Sequence, residues 1–134
     1  METKKVLRLL PFLILTVISL CVAAGWAPPN KPFSIDTSMS WQSVGTSMQK
    51  TEHFKATTLV FILAWLAMGR QRLFISCALT MLICFAWECV EAMAIGHTGR
   101  LSDLAPDLTA ALLSLLFCLL LRSLIISSPV GART

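Results

Sequence analysis

WECVEAMAIGHTGRLSDLAPD, residues 87–107, joins two long apolar runs and decides how the chain can fold. The stretch holds two glutamates, two aspartates, an arginine and a histidine, in a chain that is 56% hydrophobic and only 13% charged. Residues 73–95 and 104–126 are each long enough to cross about 30 Å of hydrocarbon as a helix. The stretch is therefore predicted to contain the turn of a helical hairpin.

Two further apolar runs, residues 6–25 and 54–69, precede this hairpin. The second is short for a full crossing, so its helix is predicted to begin near residue 50. The mean hydropathy of +0.76 is far above what a soluble core of this size requires. We therefore expect one all-α integral membrane domain over residues 1–134, with four transmembrane helices at 6–25, 50–69, 73–95 and 104–126. A basic start and an apolar middle also describe a signal peptide, but we favour a retained first helix. Residues 27–48 contain PPNKP and many Ser and Thr residues, which predicts an outer loop without helix or strand.

The distribution of Lys and Arg predicts the orientation, because cytoplasmic loops carry an excess of these residues. Seven fall on one side of the predicted helices: Lys4, Lys5, Arg8, Arg70, Arg72, Arg122 and Arg133. Four fall on the other: Lys31, Lys50, Lys55 and Arg100. Both termini are therefore predicted to be cytoplasmic. Scattered basic residues of this kind do not indicate binding of nucleic acid.

Acidic residues gather at the outer ends of the predicted helices. Glu88 and Glu91 share a helix face, and Glu88 lies roughly 22 Å along the helix from Leu73, still within the membrane. An ionised carboxylate facing lipid would cost several kcal/mol, so Glu88 is predicted to be protonated, paired or turned toward the bundle or a wet cleft. The guanidinium of Arg100 is the expected partner.

The candidate site combines four residues from three helix ends: His53, Glu88, Arg100 and Asp103. They form either a binding site or a structural lock in which Arg100 and His53 neutralise the acids. Glu91 and Asp107 are interpreted as helix-end acids that are solvated or capping.

The stretches QKTEHF and WECVEAMAIGHTGRLSDLAPDLTAAL resemble the VanZ-like family of small bacterial membrane proteins over residues 49–120. That family's pattern is roughly D-K-x-x-H-F, then [I/L]-E-x-x-Q, then R, a nearby D, and N-x-x-G. The matching positions are Lys50, His53, Phe54, Glu88, Arg100 and Asp103. The positions that depart from it are Gln49, Glu91, Asp107 and Ala110, which indicates a divergent member.

The resemblance implies a multi-pass protein of the bacterial cytoplasmic (inner) membrane, and the family's name member is associated with low-level teicoplanin resistance. It adds Lys50 to Glu91 and Asp107 as secondary site residues.

Three functions remain open at this point. The first is an envelope-facing protein whose polar cluster binds a lipid or cell-envelope head group, with an anionic ligand steered by Arg100. The second is an accessory subunit of a larger photosynthetic or respiratory membrane complex. The third, least favoured, is an enzyme with Glu88 as base and His53 as acid, or with a metal held by His53 and the acids.

No metal or cofactor is predicted from the sequence motifs. The five cysteines form no C-x-x-C pair, and no H-E-x-x-H or nucleotide-binding motif occurs. Membrane lipids, and in the second hypothesis other membrane protein subunits, are the expected partners.

Overall fold

The computed structural model describes residues 2–25, 30–69 and 71–127, which are mostly helical. The five α-helices are α1 (Glu2–Ala23), α2 (Trp41–Ser47), α3 (Thr51–Met68), α4 (Leu73–Glu91) and α5 (Leu104–Ser127), with a 3-10 turn at Leu101–Asp103. Two short strands are β1 (Ile35–Asp36) and β2 (Gly99–Arg100). The all-α prediction is confirmed, and each predicted helix is present within about four residues of its predicted ends.

Two of these helical segments, Leu73–Glu91 and Leu101–Leu124, are long and apolar enough to cross a membrane, where the sequence analysis predicted four. The apolar part of α1, Leu9–Ala23, is shorter than a full span. The first turns of α3 contain Glu52 and Lys55, which lower the mean hydropathy of that helix. The prediction of four transmembrane helices is therefore wrong by this criterion, because only α4 and α5 of the described helices have the length and apolar composition of a full span.

Helix α3 lies at the centre and packs against α1, α4 and α5. One buried cluster joins α3 to α1 and α4: Phe12, Val60, Ala64 and Ile83. A second joins α3 to α4 and α5: Phe61, Leu73, Leu115 and Cys118. Short connections make α3, α4 and α5 alternate in direction. The start of α3, the end of α4 and the start of α5 therefore meet at one end of the bundle, called the polar end below.

The segment predicted as an outer loop without helix or strand contains both β1 and α2, so that prediction is wrong for residues 35–36 and 41–47. Helix α2 forms because Ser40 caps it: the Ser40 side chain accepts from the Ser43 backbone N–H, and the Ser43 side chain accepts from the Ser40 N–H. Strand β1 pairs in parallel with β2, with Ile35 opposite Gly99. Residues 27–29 of the predicted loop lie outside the described residues.

The count of Lys and Arg predicts that four helix ends are cytoplasmic: the starts of α1 and α4 and the ends of α3 and α5. These four ends lie opposite the polar end of the bundle. Among the basic residues of that count, Arg70 and Arg133 lie outside the described residues, whereas Arg72 immediately precedes α4 and Arg122 lies near the end of α5. The chain order of the helices is therefore compatible with both termini on one side.

Candidate functional site

Three carboxylates are buried at the polar end of the bundle. Glu88 in α4 is 1% exposed, Asp103 in the 3-10 turn is 2% exposed, and Asp107 in the first turn of α5 is 3% exposed. Burial of an ionised carboxylate costs several kcal/mol unless hydrogen bonds or opposite charges offset it. The partners of each acid therefore show what this site is built to do.

Asp103 has a full set of partners. The Lys50 Nζ atom lies 2.6 Å from Asp103 Oδ2, and the Ser47 hydroxyl donates to Asp103 Oδ1 over 2.6 Å. Lys50 stands immediately before α3 and Ser47 ends α2, so this acid ties the α2–α3 junction to the start of α5. The sequence predicted Lys50 only as a secondary site residue. In the structure, Lys50 is the cation that neutralises Asp103.

Asp107 is joined to two side chains of α3. The Thr57 hydroxyl donates to Asp107 Oδ1 over 2.6 Å, and His53 Nδ1 lies 3.3 Å and 3.4 Å from the two carboxylate oxygens. The interpretation of Asp107 as a solvated or capping acid is therefore wrong. Thr57 was missed as well, although its spacing of four residues from His53 places both side chains on one face of a helix.

Glu88 has one satisfied oxygen and one unsatisfied oxygen. Oε2 accepts a hydrogen bond of 2.8 Å from the backbone N–H of Arg100, whereas Oε1 is buried and has no hydrogen-bond partner among the described residues. The Arg100 side chain is exposed and forms no ion pair with Glu88 in the described part of the chain. The predicted Glu88–Arg100 side-chain pair is therefore wrong, and the backbone amide takes its place.

The position of Arg100 follows from the pairing of β1 with β2. Gly99 faces inward against the end of α4, and successive side chains of a strand point to opposite faces, so the Arg100 side chain points outward. Asp36 is the residue opposite Arg100 in this pairing. Hydrogen bonds with the side chain and backbone of Ser38 lower the pKa of Asp36, which lies outside both apolar spans.

Beside the acids, α1, α3 and α4 enclose a cleft of about 470 Å³. Its body is apolar and is lined by Leu15, Leu59, Val60 and Ile83. Its polar end is lined by Glu52, His53, Lys55, Glu91 and Asp107. Glu91, predicted to be a solvated or capping acid, is half-buried and accepts a 2.7 Å hydrogen bond from Trp87 Nε1. The cleft is therefore amphiphilic: its body is apolar and its polar end is charged.

His53, Glu88 and Asp107 are also close enough together to hold a metal ion. One donor atom from each residue lies within 4.8 Å of the donor atoms of the other two. The sequence motifs predicted no metal because these donors come from three helices and match no local spacing. Of the predicted site residues, the structure thus groups His53 with Glu88 and Asp107, pairs Asp103 with Lys50, and directs Arg100 outward.

No family model, curated protein or solved structure matches this chain. Membership of the VanZ-like family therefore stays a prediction from residues 49–120.

Proposed function

We propose that this chain is a multi-pass protein of the bacterial cytoplasmic membrane, of the VanZ-like kind, that binds a lipid through its head group in the cleft beside His53. The observation that carries the proposal is the amphiphilic character of the cleft, apolar along α1, α3 and α4 and charged at the polar end. Binding alone requires no catalytic residue in addition to the side chains that line the cleft.

The exposed surface of the helices supports the membrane location. Within the apolar windows of α4 and α5, only 33% and 28% is buried inside the bundle, whereas the core helix of a soluble protein is mostly buried. Large apolar side chains such as Phe74 and Phe117 are 70% and 63% exposed. Contact with lipid accounts for these faces without a further subunit, so the accessory-subunit hypothesis has no observation of its own.

With α4 and α5 as full spans, α1 and α3 cross the same layer with shorter apolar stretches, and the polar residues that flank these stretches extend toward the head groups. Their polar ends reach the head-group region, where Lys55 and Glu52 form an exposed ion pair of 2.9 Å. In the proposed orientation, both termini are cytoplasmic and the polar end with α2 faces outward.

The charges around the cleft favour a zwitterionic head group. The Arg100 guanidinium, expected to steer an anionic ligand, points away, so Lys55 is the cationic side chain of the cleft that is available to a phosphate. Glu52 and Glu91 offer carboxylates to an ammonium group at the same end. A phospholipid with an ethanolamine head group presents both charges, with its acyl chain along the apolar body.

Filling the cleft tests this proposal. Leu59→Trp places an indole in the apolar body of the cleft, so phosphatidylethanolamine should bind to the delipidated protein on the order of tenfold more weakly. Binding is measured by native mass spectrometry of the full chain in detergent. Leu66→Trp is the matched control, because Leu66 is also an exposed leucine of α3 but does not line the cleft.

Equal lipid affinity of the Leu59→Trp and Leu66→Trp proteins would contradict the proposal. Circular dichroism of both variants establishes that each retains the helical content of the unmodified chain, so that a loss of binding is not a loss of fold.

A further inference from the structure

The buried charges at the polar end do not balance within the described residues. Three buried carboxylates face two cationic side chains, Lys50 and His53, and Lys50 is taken by Asp103. Glu88 and Asp107 are left with one imidazole between them. A second positive charge at this point would neutralise the pair, and buried charges are found paired or bound to metal ions.

The geometry fits a small cation. In a tetrahedral zinc site with bonds of about 2.0–2.1 Å, neighbouring donor atoms are about 3.4 Å apart. His53 Nδ1 and Asp107 Oδ2 are already 3.4 Å apart, and Glu88 contributes its donor within the same 4.8 Å group. Glu88 Oε1, buried and without a hydrogen-bond partner among the described residues, is an unused acceptor on one of these three residues.

Neighbouring groups hold both carboxylates in place. The Thr57 hydroxyl binds Asp107 Oδ1, and the backbone N–H of Arg100 binds Glu88 Oε2. In each carboxylate, one oxygen accepts a hydrogen bond from this neutral donor. The other oxygen is not bound by that donor. Carboxylates that bind metal ions in proteins are commonly held by hydrogen bonds of this kind.

We propose that His53, Glu88 and Asp107 bind one divalent transition-metal ion, with zinc as the best fit. Two carboxylates and a neutral imidazole balance its two positive charges. A histidine ligand favours a transition metal over calcium or magnesium, which prefer oxygen ligands. Three protein ligands leave a fourth position open, and two of the three ligands, His53 and Asp107, also line the cleft.

Zinc titration of the metal-stripped full chain in detergent, without added lipid, tests the site. The unmodified protein should bind one zinc ion per chain by isothermal titration calorimetry, and zinc should raise its melting temperature. Glu88→Gln and Asp107→Asn each remove a charged ligand but keep the side-chain size, so each should weaken binding on the order of 100-fold. Cobalt substituted for zinc should give the visible absorption bands of a four-coordinate ion.

Matched controls use the other histidine and an exposed acid. His97→Asn and Asp36→Asn remove exposed residues outside the triad and should leave the zinc affinity unchanged, whereas His53→Asn should weaken it. Thr57→Val removes only the hydroxyl that holds Asp107 and should weaken binding about 10- to 100-fold.

Failure of the unmodified chain to bind a stoichiometric ion would overturn the proposal, whether or not any variant folds. Equal affinity of the Glu88→Gln and Asp36→Asn proteins would overturn it as well. The zinc titration is done without lipid, and the Leu59→Trp lipid-binding experiment is done on metal-stripped protein, so the metal site and the lipid site can fail separately.

Discussion

Gly99 is the residue that brings the Arg100 amide onto Glu88. A Cβ atom at position 99 would overlap the backbone oxygen of Glu88 and would lie 3.0 Å from the Ala92 Cβ atom. Only glycine therefore allows β2 to pass so close to the end of α4. The same close approach allows the Arg100 N–H to bind Glu88 Oε2. The absence of a side chain at Gly99 therefore determines how the Glu88 carboxylate is held.

Gly99→Ala should therefore lower the free energy of unfolding by about 2 kcal/mol or more, because backbone rather than a flexible side chain must move. Gly45→Ala is the control: a Cβ atom there meets nothing within 4 Å, and Gly45 lies inside α2. That substitution should raise stability by about 0.5–1 kcal/mol. Unfolding of both proteins by SDS in mixed micelles measures the difference, and similar stabilities would contradict the role of Gly99.

At the scale of elements, the ion pair between Lys50 and Asp103 joins the α2–α3 junction to the turn before α5. The side chain of the acid is 3% exposed and that of the lysine is 41% exposed, so one partner is buried and the other is partly solvated. The pair explains why α2 packs on the 3-10 turn although its own surface is mostly polar. Without the lysine, Asp103 would keep only hydrogen bonds from neutral groups.

Lys50→Met should destabilise the protein by about 2–3 kcal/mol, below the usual loss for a fully buried pair because the lysine is partly exposed. Adding Asp103→Asn should restore part of this loss, since the unpaired charge is removed. Lys55→Met breaks an ion pair in which both side chains are at least 70% exposed and should change stability by no more than about 0.5 kcal/mol. Thermal unfolding in detergent measures all three, and equal losses for the two lysines would contradict the assignment.

The whole molecule is divided into an apolar body and a polar end. The body carries the two apolar spans, and the polar end collects the buried acids, α2 and the paired strands. This division places the proposed metal site and the charged part of the proposed lipid site at the same end of the bundle. Their location relative to the cytoplasm follows from the proposed orientation.

Cysteine labelling measures that orientation. Ser38→Cys lies in the exposed segment between β1 and α2, and Gln71→Cys lies in the exposed turn between α3 and α4. An impermeant maleimide added to intact spheroplasts should label the first variant at once and the second only after permeabilisation. The unmodified protein controls for its five native cysteines, and the reverse labelling pattern would show that the polar end faces the cytoplasm.

The sequence alone determined the four long helices and the gathering of acids near Glu88. Helix formation over long apolar runs depends on local composition, and charged residues between such runs are confined to the helix ends. The sequence also predicted His53 and Glu88 as candidate site residues, because ionisable groups within apolar helices are costly. It did not reveal α2, whose Ser40 cap is a short signal in a polar segment.

Only the tertiary structure decided which of these groups meet. The rotation of α3 against α5 brings His53 and Thr57 onto Asp107, and the close passage of Gly99 puts the Arg100 amide on Glu88. Those contacts join residues about 50 positions apart, or depend on the direction in which one backbone approaches another. Local periodicity places a side chain on a helix face, but the packing of the helices determines what that face contacts.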